Sequence, residues 1–146
     1  MTCGPLVIAF GLGAPALKDA KPATDLIGLW EHEQSLSGGK EATKKRDAPL
    51  RYEFRKDGTY VIYEGNREMV GPREFRVDSN AKPATLDTKT NKSKDGEAAF
   101  SFAIYKIEDD RLTICKTMPG KARPTEFDTS TGSPNYMMIF RRVKKD

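Results

Sequence analysis

The tripeptide Gly28-Leu29-Trp30 decides the fold, because it stands at the head of eight short segments in which apolar and polar residues alternate. A glycine beside a tryptophan at the start of a first strand is typical of closed antiparallel barrels. The indole plugs one end, the glycine lets the backbone pass close to it, and a basic residue of the last strand stacks on the indole face. We therefore predict that Gly28 and Trp30 close the barrel together with Arg141 or Arg142.

The clearest local signal is a hairpin. Residues 50–55 and 59–63 both alternate, and the Asp57-Gly58 pair between them favours the positive φ angles of a tight turn. The polar residues 89–96 are predicted to form an exposed loop, and Asp25, a candidate helix N-cap, predicts one short helical turn before the first strand. The remaining predicted strands cover residues 29–36, 73–77, 84–88, 98–107, 111–116 and 136–143.

Eight strands joined largely by short turns form a meander, which can close on itself and so remove its two edges. No segment shows the 3.6-residue apolar repeat of an amphipathic helix. The sequence thus predicts an all-β protein, an eight-stranded up-and-down antiparallel barrel, with a two-sheet sandwich as the main alternative.

The chain has 146 residues, enough for one domain with residues to spare at the front. Residues 6–12 are apolar and precede Ala14-Pro15-Ala16, which offers the small residues that a signal peptidase recognises. The apolar run is too short to span a bilayer, and no Lys or Arg precedes it. We divide the chain into a leader and linker (1–24) and a barrel domain (25–146), and we predict a periplasmic or secreted protein without stable membrane insertion. The alternative is a leader that is disordered or loosely packed.

Several stretches identify a family resemblance when they are taken in order. They are Leu26-Ile27-Gly28-Leu29-Trp30, the Tyr105 strand leading into Leu112-Thr113-Ile114-Cys115, Arg123-Pro124-Thr125-Glu126-Phe127, and the late apolar strand that ends in Arg141-Arg142. Together they resemble the lipocalin-like (calycin-type) domain that is expanded in planctomycete bacteria, over residues 25–143. Ala103-Ile104-Tyr105 stands where that family often has Gly-Ile-Tyr. The resemblance implies a lipocalin-like fold and export, and it implies no particular chemistry.

The residues that alternate onto the inner face are the candidate lining of a cavity. If Trp30 points inward, His32 and Gln34 point inward with it. Tyrosines give an apolar wall with polar tips, which suits a small amphipathic ligand. The other candidate lining residues are Tyr52, Phe54, Tyr60, Ile62, Phe75 and Tyr105.

Whether such a barrel is hollow stays open at this stage, because small eight-stranded barrels are often filled by their own side chains. The strand over residues 98–107 carries apolar residues on both faces. If Ser101 and Ala103 face inward there is space for a ligand, and if Phe100 and Phe102 face inward there is little.

No catalytic or metal-binding constellation is evident. His32 is the only histidine, Cys115 is its only plausible soft partner for a metal or haem, and metal sites normally need three or four ligands. We therefore predict no cofactor and no metal. The formal charge of +4 comes from Lys and Arg scattered among acids without interleaved aromatics, so nucleic acid is not a predicted partner.

The segment Arg123-Pro124-Thr125-Glu126-Phe127 has two interpretations. It is a recognition loop, or Phe127 packs against the barrel while Arg123 or Glu126 anchors the crossover. For the whole protein we predict a non-enzymatic binding protein for a small apolar or amphipathic molecule. The alternatives are a structural or protein-interaction module with a filled barrel, and an enzyme acting on a lipid or isoprenoid. A pocket of several hundred Å³ favours the first.

Overall fold

The computed structural model describes residues 24–92, 98–118 and 121–144, and all regular structure in these ranges is β. Residues 24–26 form a turn, and the described residues contain no helix, so the helical turn predicted at Asp25 is not confirmed. Within these ranges, no helix is long and apolar enough to cross a membrane. The strands are β1 Gly28–Ser37, β2 Lys40–Glu41, β3 Leu50–Phe54, β4 Thr59–Glu64, β5 Arg67–Asp78, β6 Ala84–Lys92, β7 Ala98–Glu108, β8 Arg111–Lys116 and β9 Tyr136–Arg142.

Eight of these strands close into one barrel. From β3 to β9 each strand pairs antiparallel with the next along the chain, and β1 pairs with both β3 and β9. Trp30 lies opposite Arg142 and Ser37 lies opposite Tyr136, so the first and last strands pair over almost their whole length. The two-residue β2 pairs only with the end of β1. The predicted eight-stranded antiparallel barrel is confirmed, and the sandwich alternative is excluded.

The β3–β4 hairpin is confirmed, with a turn that differs in detail. Phe54 pairs with Tyr60, and the Arg55 amide donates to the Thr59 carbonyl at 2.8 Å. Gly58 has a φ of 86°, and the Gly58 amide donates to the Arg55 carbonyl at 3.1 Å. A three-residue loop with glycine in the left-handed region therefore replaces the two-residue turn that Asp57-Gly58 predicted.

Two strands are longer than their sequences predicted by four residues or more. β5 begins at Arg67, six residues before its predicted start, because Gly71-Pro72 forms a bulge instead of ending the strand. The bulge is visible in the pairing: Ile62 lies opposite Val70 and Tyr60 lies opposite Arg73, so two residues of β5 face one of β4.

β6 likewise continues to Lys92, so residues 89–92 are strand where an exposed loop was predicted. Residues 93–96 of that loop lie outside the described part of the chain, as do residues 1–23 of the predicted leader.

Candidate ligand cavity

One end of the barrel is closed around Trp30, whose side chain is fully buried. Its indole Nε1 donates to the Leu26 carbonyl at 2.9 Å, and the Arg142 guanidinium lies 4.1 Å from the ring centroid. Arg142 also donates to the carbonyls of Ile27, at 3.2 Å, and of Asp25. At Gly28 a Cβ would lie 3.1 Å from the Arg142 Nη1, and the φ of 133° is one that few other residues adopt.

Arg141, the neighbouring candidate for this role, lies elsewhere. Its side chain is exposed on the outer surface, where its Nε donates to a Glu33 carboxylate oxygen at 2.8 Å. Successive residues of a strand point to opposite faces, so only one of the two arginines can lie over the indole. That one is Arg142.

The inward direction predicted for Gln34 is wrong because β1 contains a bulge. The pairing with β9 shifts between His32 and Gln34. Past the shift Ser35 is the buried residue, with 2% of its surface exposed, and its hydroxyl accepts from Tyr136 at 3.0 Å. The Gln34 amide instead donates to the Glu41 carboxylate at 2.8 Å on the surface.

His32 lies on the inner side of this bulge but does not line the cavity. Its ring meets Phe140 edge-on, with the centroids 5.5 Å apart, and its Nε2 lies 2.7 Å from the Ser35 hydroxyl. Burial lowers the pKa of His32, and the positive charge of Arg46 lowers it further. The imidazole is therefore held neutral as part of the barrel wall.

The barrel encloses a cavity of about 870 Å³. Four predicted lining residues, Tyr52, Phe54, Tyr60 and Ile62, line it from β3 and β4. Two others, Phe75 and Tyr105, face the interior but belong to the packed core around Trp30 and are not part of the cavity lining. The other lining residues are Ser37, Val70, Arg73, Leu86, Thr88, Thr90, Ser101, Ala103, Ile114, Lys116, Thr117, Met118, Pro134, Tyr136 and Met138.

The small face of β7 points inward, which settles the question left open by the sequence. Ser101 and Ala103 line the cavity and are almost fully buried. Phe100 and Phe102 lie on the outer face instead, where guanidinium groups stack on their rings. The cavity therefore exists because serine and alanine stand where two phenylalanines would have filled it.

The cavity opens at the end opposite Trp30. Ser37, Tyr136 and Lys116 lie side by side there on β1, β9 and β8, and all three belong to the lining. Met118 and Pro134, from the ends of the crossover between β8 and β9, complete this part of the wall. Met118 is 70% exposed, so an apolar side chain marks the mouth.

The tyrosines of the wall are neutral hydrogen-bonding groups. Burial raises the pKa of Tyr52 well above its ordinary value, and the Tyr52 hydroxyl lies 3.9 Å from the Met138 sulfur. Burial also raises the pKa of Tyr60, whose hydroxyl donates to the Lys89 carbonyl at 2.7 Å. These side chains present apolar rings to the cavity and add no charge to it.

Two charged lining residues, Arg73 and Lys116, escaped the sequence analysis. The signal was present in both cases: Arg73 stands two residues before Phe75, and Lys116 stands two residues after Ile114. The same alternation that selects those apolar residues places the two cations on the inner face.

The crossover segment is anchored to the outside of the barrel. Arg123 lies 2.7 Å from an Asp87 carboxylate oxygen and donates to the Ala103 carbonyl at 2.8 Å. Pro124 is buried, and Phe127 packs on an outer apolar cluster formed by Ile104, Cys115 and Met137 with Leu36. The Glu126 residue is exposed, and its contact with the barrel is made by its backbone carbonyl, 3.8 Å from the Cys115 sulfur.

The structure does not bring His32 and Cys115 together as a pair of metal ligands. Cys115 is fully buried in the outer cluster, on the opposite side of the wall from His32, and burial raises the pKa of its thiol. Among the residues that the structure describes, no three His, Cys, Asp or Glu side chains are placed to hold a metal ion. The feature with functional potential is the cavity.

No family model, curated protein or solved structure matches this chain, so the functional interpretation depends on the geometry of the barrel.

Proposed function

We propose that this protein is a non-enzymatic binding protein that holds a small apolar or amphipathic molecule in its barrel. The observation that carries the proposal is the cavity of about 870 Å³, which is walled by aromatic and aliphatic side chains and opens at one end. Ligand sites in proteins typically measure about 300–1,000 Å³ and have mostly apolar walls with a few polar groups. Protein interiors are otherwise packed with few voids larger than a water molecule, so this space is not a packing defect.

The chemistry of the wall supports binding over catalysis. The described lining residues include no histidine, cysteine or carboxylate, the side chains that most often act as nucleophile or general base. The side chains that a ligand would meet are suited to contact it and not to transform it.

We further propose that the barrel is lipocalin-like and that the protein works outside the cytoplasm. The closed meander and the pairing of Trp30 with Arg142 support the first. The apolar run over residues 6–12 and the Ala14-Pro15-Ala16 stretch support the second. A small molecule that co-purifies with protein from its host's envelope, seen by native mass spectrometry, would identify the cargo.

The proposal is tested by titrating the full chain with N-phenyl-1-naphthylamine, a neutral apolar dye that fluoresces when it leaves water. We expect a saturable rise with one dye per chain. Ala103→Trp, which places an indole in the middle of the cavity wall, should weaken dye binding at least tenfold. Phe102→Trp is the matched control, because it adds the same side chain to the outer face of the same strand.

Circular dichroism and a thermal melt check that both variants are folded, and Ser101→Trp replaces Ala103→Trp if that chain does not fold. Equal dye binding by the two variants would show that the dye sits elsewhere. A folded wild-type chain that takes up no dye would overturn the binding function. That result would favour an interaction module whose loops contact a protein partner.

A further inference from the structure

The charged side chains of the cavity wall are all positive. Its lining contains two cationic side chains, Arg73 from β5 and Lys116 from β8, and among the described lining residues there is no carboxylate. An apolar cavity with a low local dielectric strengthens the field of such charges. The electrostatic potential inside the cavity therefore favours a negatively charged ligand.

The Arg73 guanidinium is already engaged with the wall. It hydrogen-bonds the Tyr60 hydroxyl, and this contact together with its charge lowers the pKa of Tyr60 against the larger effect of burial. Arg73 therefore contributes positive potential to the cavity and holds a neighbouring side chain in place.

Lys116 is in a different situation. It follows Ile114 on the inner face of β8, and its neighbours across the ladder, Ala103 and Tyr136, both line the cavity. No described carboxylate, hydroxyl or carbonyl forms an ion pair or hydrogen bond with its ammonium. Burial alone lowers the pKa of Lys116. Lys116 is half-buried, and its ammonium has no partner among the described residues. A partly desolvated ammonium of this kind favours an anion beside it.

The acids that could have neutralised Lys116 are used on the outside of the barrel. They alternate with the inward-facing residues and form ion pairs with outward-facing arginines. The pairs are Glu31 with Arg51, Glu33 with Arg141, Glu74 with Arg76, and Asp87 with Arg123.

We propose that the ligand carries one carboxylate on an apolar body and that the Lys116 ammonium binds this carboxylate. The inference rests on the proposed function of the cavity. Lys116 is the last residue of β8, at the open end, while Phe54, Leu86 and Met138 line the cavity and belong to the buried core. The head group thus lies near the mouth and the apolar body points toward Trp30. Lys116 carries a single positive charge, so a singly charged head group beside it leaves no net charge at this end of the cavity.

The test measures how well four twelve-carbon compounds displace N-phenyl-1-naphthylamine at neutral pH: dodecanoate, 1-dodecanol, dodecyl phosphate and dodecylammonium. Dodecanoate should bind at least tenfold more tightly than each of the others, the range expected for a charge-assisted hydrogen bond. Lys116→Met should remove the preference for dodecanoate over dodecanol. Lys116→Arg should retain the preference.

Lys56→Met is the control for net charge, because it removes one exposed lysine in the β3–β4 turn, away from the mouth. Equal affinity for dodecanoate and dodecanol, or a preference that survives Lys116→Met, would overturn the assignment while the cavity function stands. Tighter binding of dodecyl phosphate would overturn the carboxylate as the head group, and tighter binding of dodecylammonium would overturn the role given to Lys116. Failure of the dye itself to bind would remove both proposals together.

Discussion

Arg142 links the last strand of the barrel to the segment before the first. Its guanidinium covers the face of Trp30 and donates to the carbonyls of Ile27 and Asp25. Backbone hydrogen bonds close the same corner, since the Val143 amide donates to the Leu29 carbonyl at 2.8 Å. Stacking on the indole contributes about 0.5–2 kcal/mol, and hydrogen bonds from a charged donor add about 1.5–3 kcal/mol.

We predict that Arg142→Met lowers the free energy of unfolding by about 2–4 kcal/mol. Urea denaturation followed by the fluorescence of Trp30, the single tryptophan, measures this change directly. Arg141→Met is the matched control and should leave the unfolding midpoint close to that of the wild type, because its ion pair with Glu33 is exposed. Similar losses in the two variants would contradict the role given to Arg142.

The closing contact shows what sequence reasoning can achieve at the scale of single residues. The pairing of Trp30 with a basic residue of the last strand follows from the Gly-x-Trp pattern. Choosing between Arg141 and Arg142 requires the phase of that strand. The buried position of Phe140 gives this phase in the structure. Because residues two apart in a strand share a face, Arg142 points inward with Phe140 and Arg141 points outward.

At the scale of the strand, β1 shows why alternation fails where the chain adds a residue. Counting by two from Trp30 places His32, Gln34 and Leu36 inside. The bulge after His32 reverses the phase, so Ser35 is buried inside and Leu36 packs on the outer apolar cluster. The bulge is a property of the pairing between β1 and β9, which are about a hundred residues apart in sequence, so local pattern contains no trace of it.

His32, which lies at the β1 bulge, gives the stability of the protein a pH dependence. Because burial lowers the pKa of His32 in the folded state, the unfolded chain takes up the proton first as the pH falls. The stabilisation from the neutral imidazole is complete above its ordinary pKa of about 6.5 and is lost as the pH falls through that value toward the lower folded-state pKa.

We therefore predict that the free energy of unfolding declines as the pH falls below about 6.5, and that His32→Gln, which does not titrate, flattens this decline. Carboxylates such as Glu64, whose pKa is lowered by hydrogen bonds from Arg67 and Arg46, lose their contribution only at lower pH. Urea denaturation at half-unit pH steps measures both chains. An unchanged slope in His32→Gln would contradict the assignment.

For the whole molecule, closure of the barrel could be predicted and its hollowness could not. Hairpin signals and alternating segments suffice for a meander, and a meander of eight strands removes its edges by closing. The interior depends on which face of β7 points inward, and both faces of β7 are apolar. The outer face is apolar because the crossover covers it: Phe127 packs on Ile104 there, and Arg123 stacks on Phe102. Because both faces of β7 are apolar, alternation in the sequence does not indicate which face points inward.

The most direct test of a ligand-holding cavity uses the methionine methyl groups as reporters in NMR. Met138 lines the cavity, its neighbour Met137 lies in the outer cluster, Met118 stands at the mouth, and Met69 is exposed on β5. As N-phenyl-1-naphthylamine is added to the protein with labelled methionine methyls, we predict a large, saturable shift at Met138 and a smaller one at Met118. The methyl signals of Met137 and Met69 should not shift. Shifts confined to Met137 or Met69, or no shift at Met138 when the dye is bound, would contradict the cavity as the binding site.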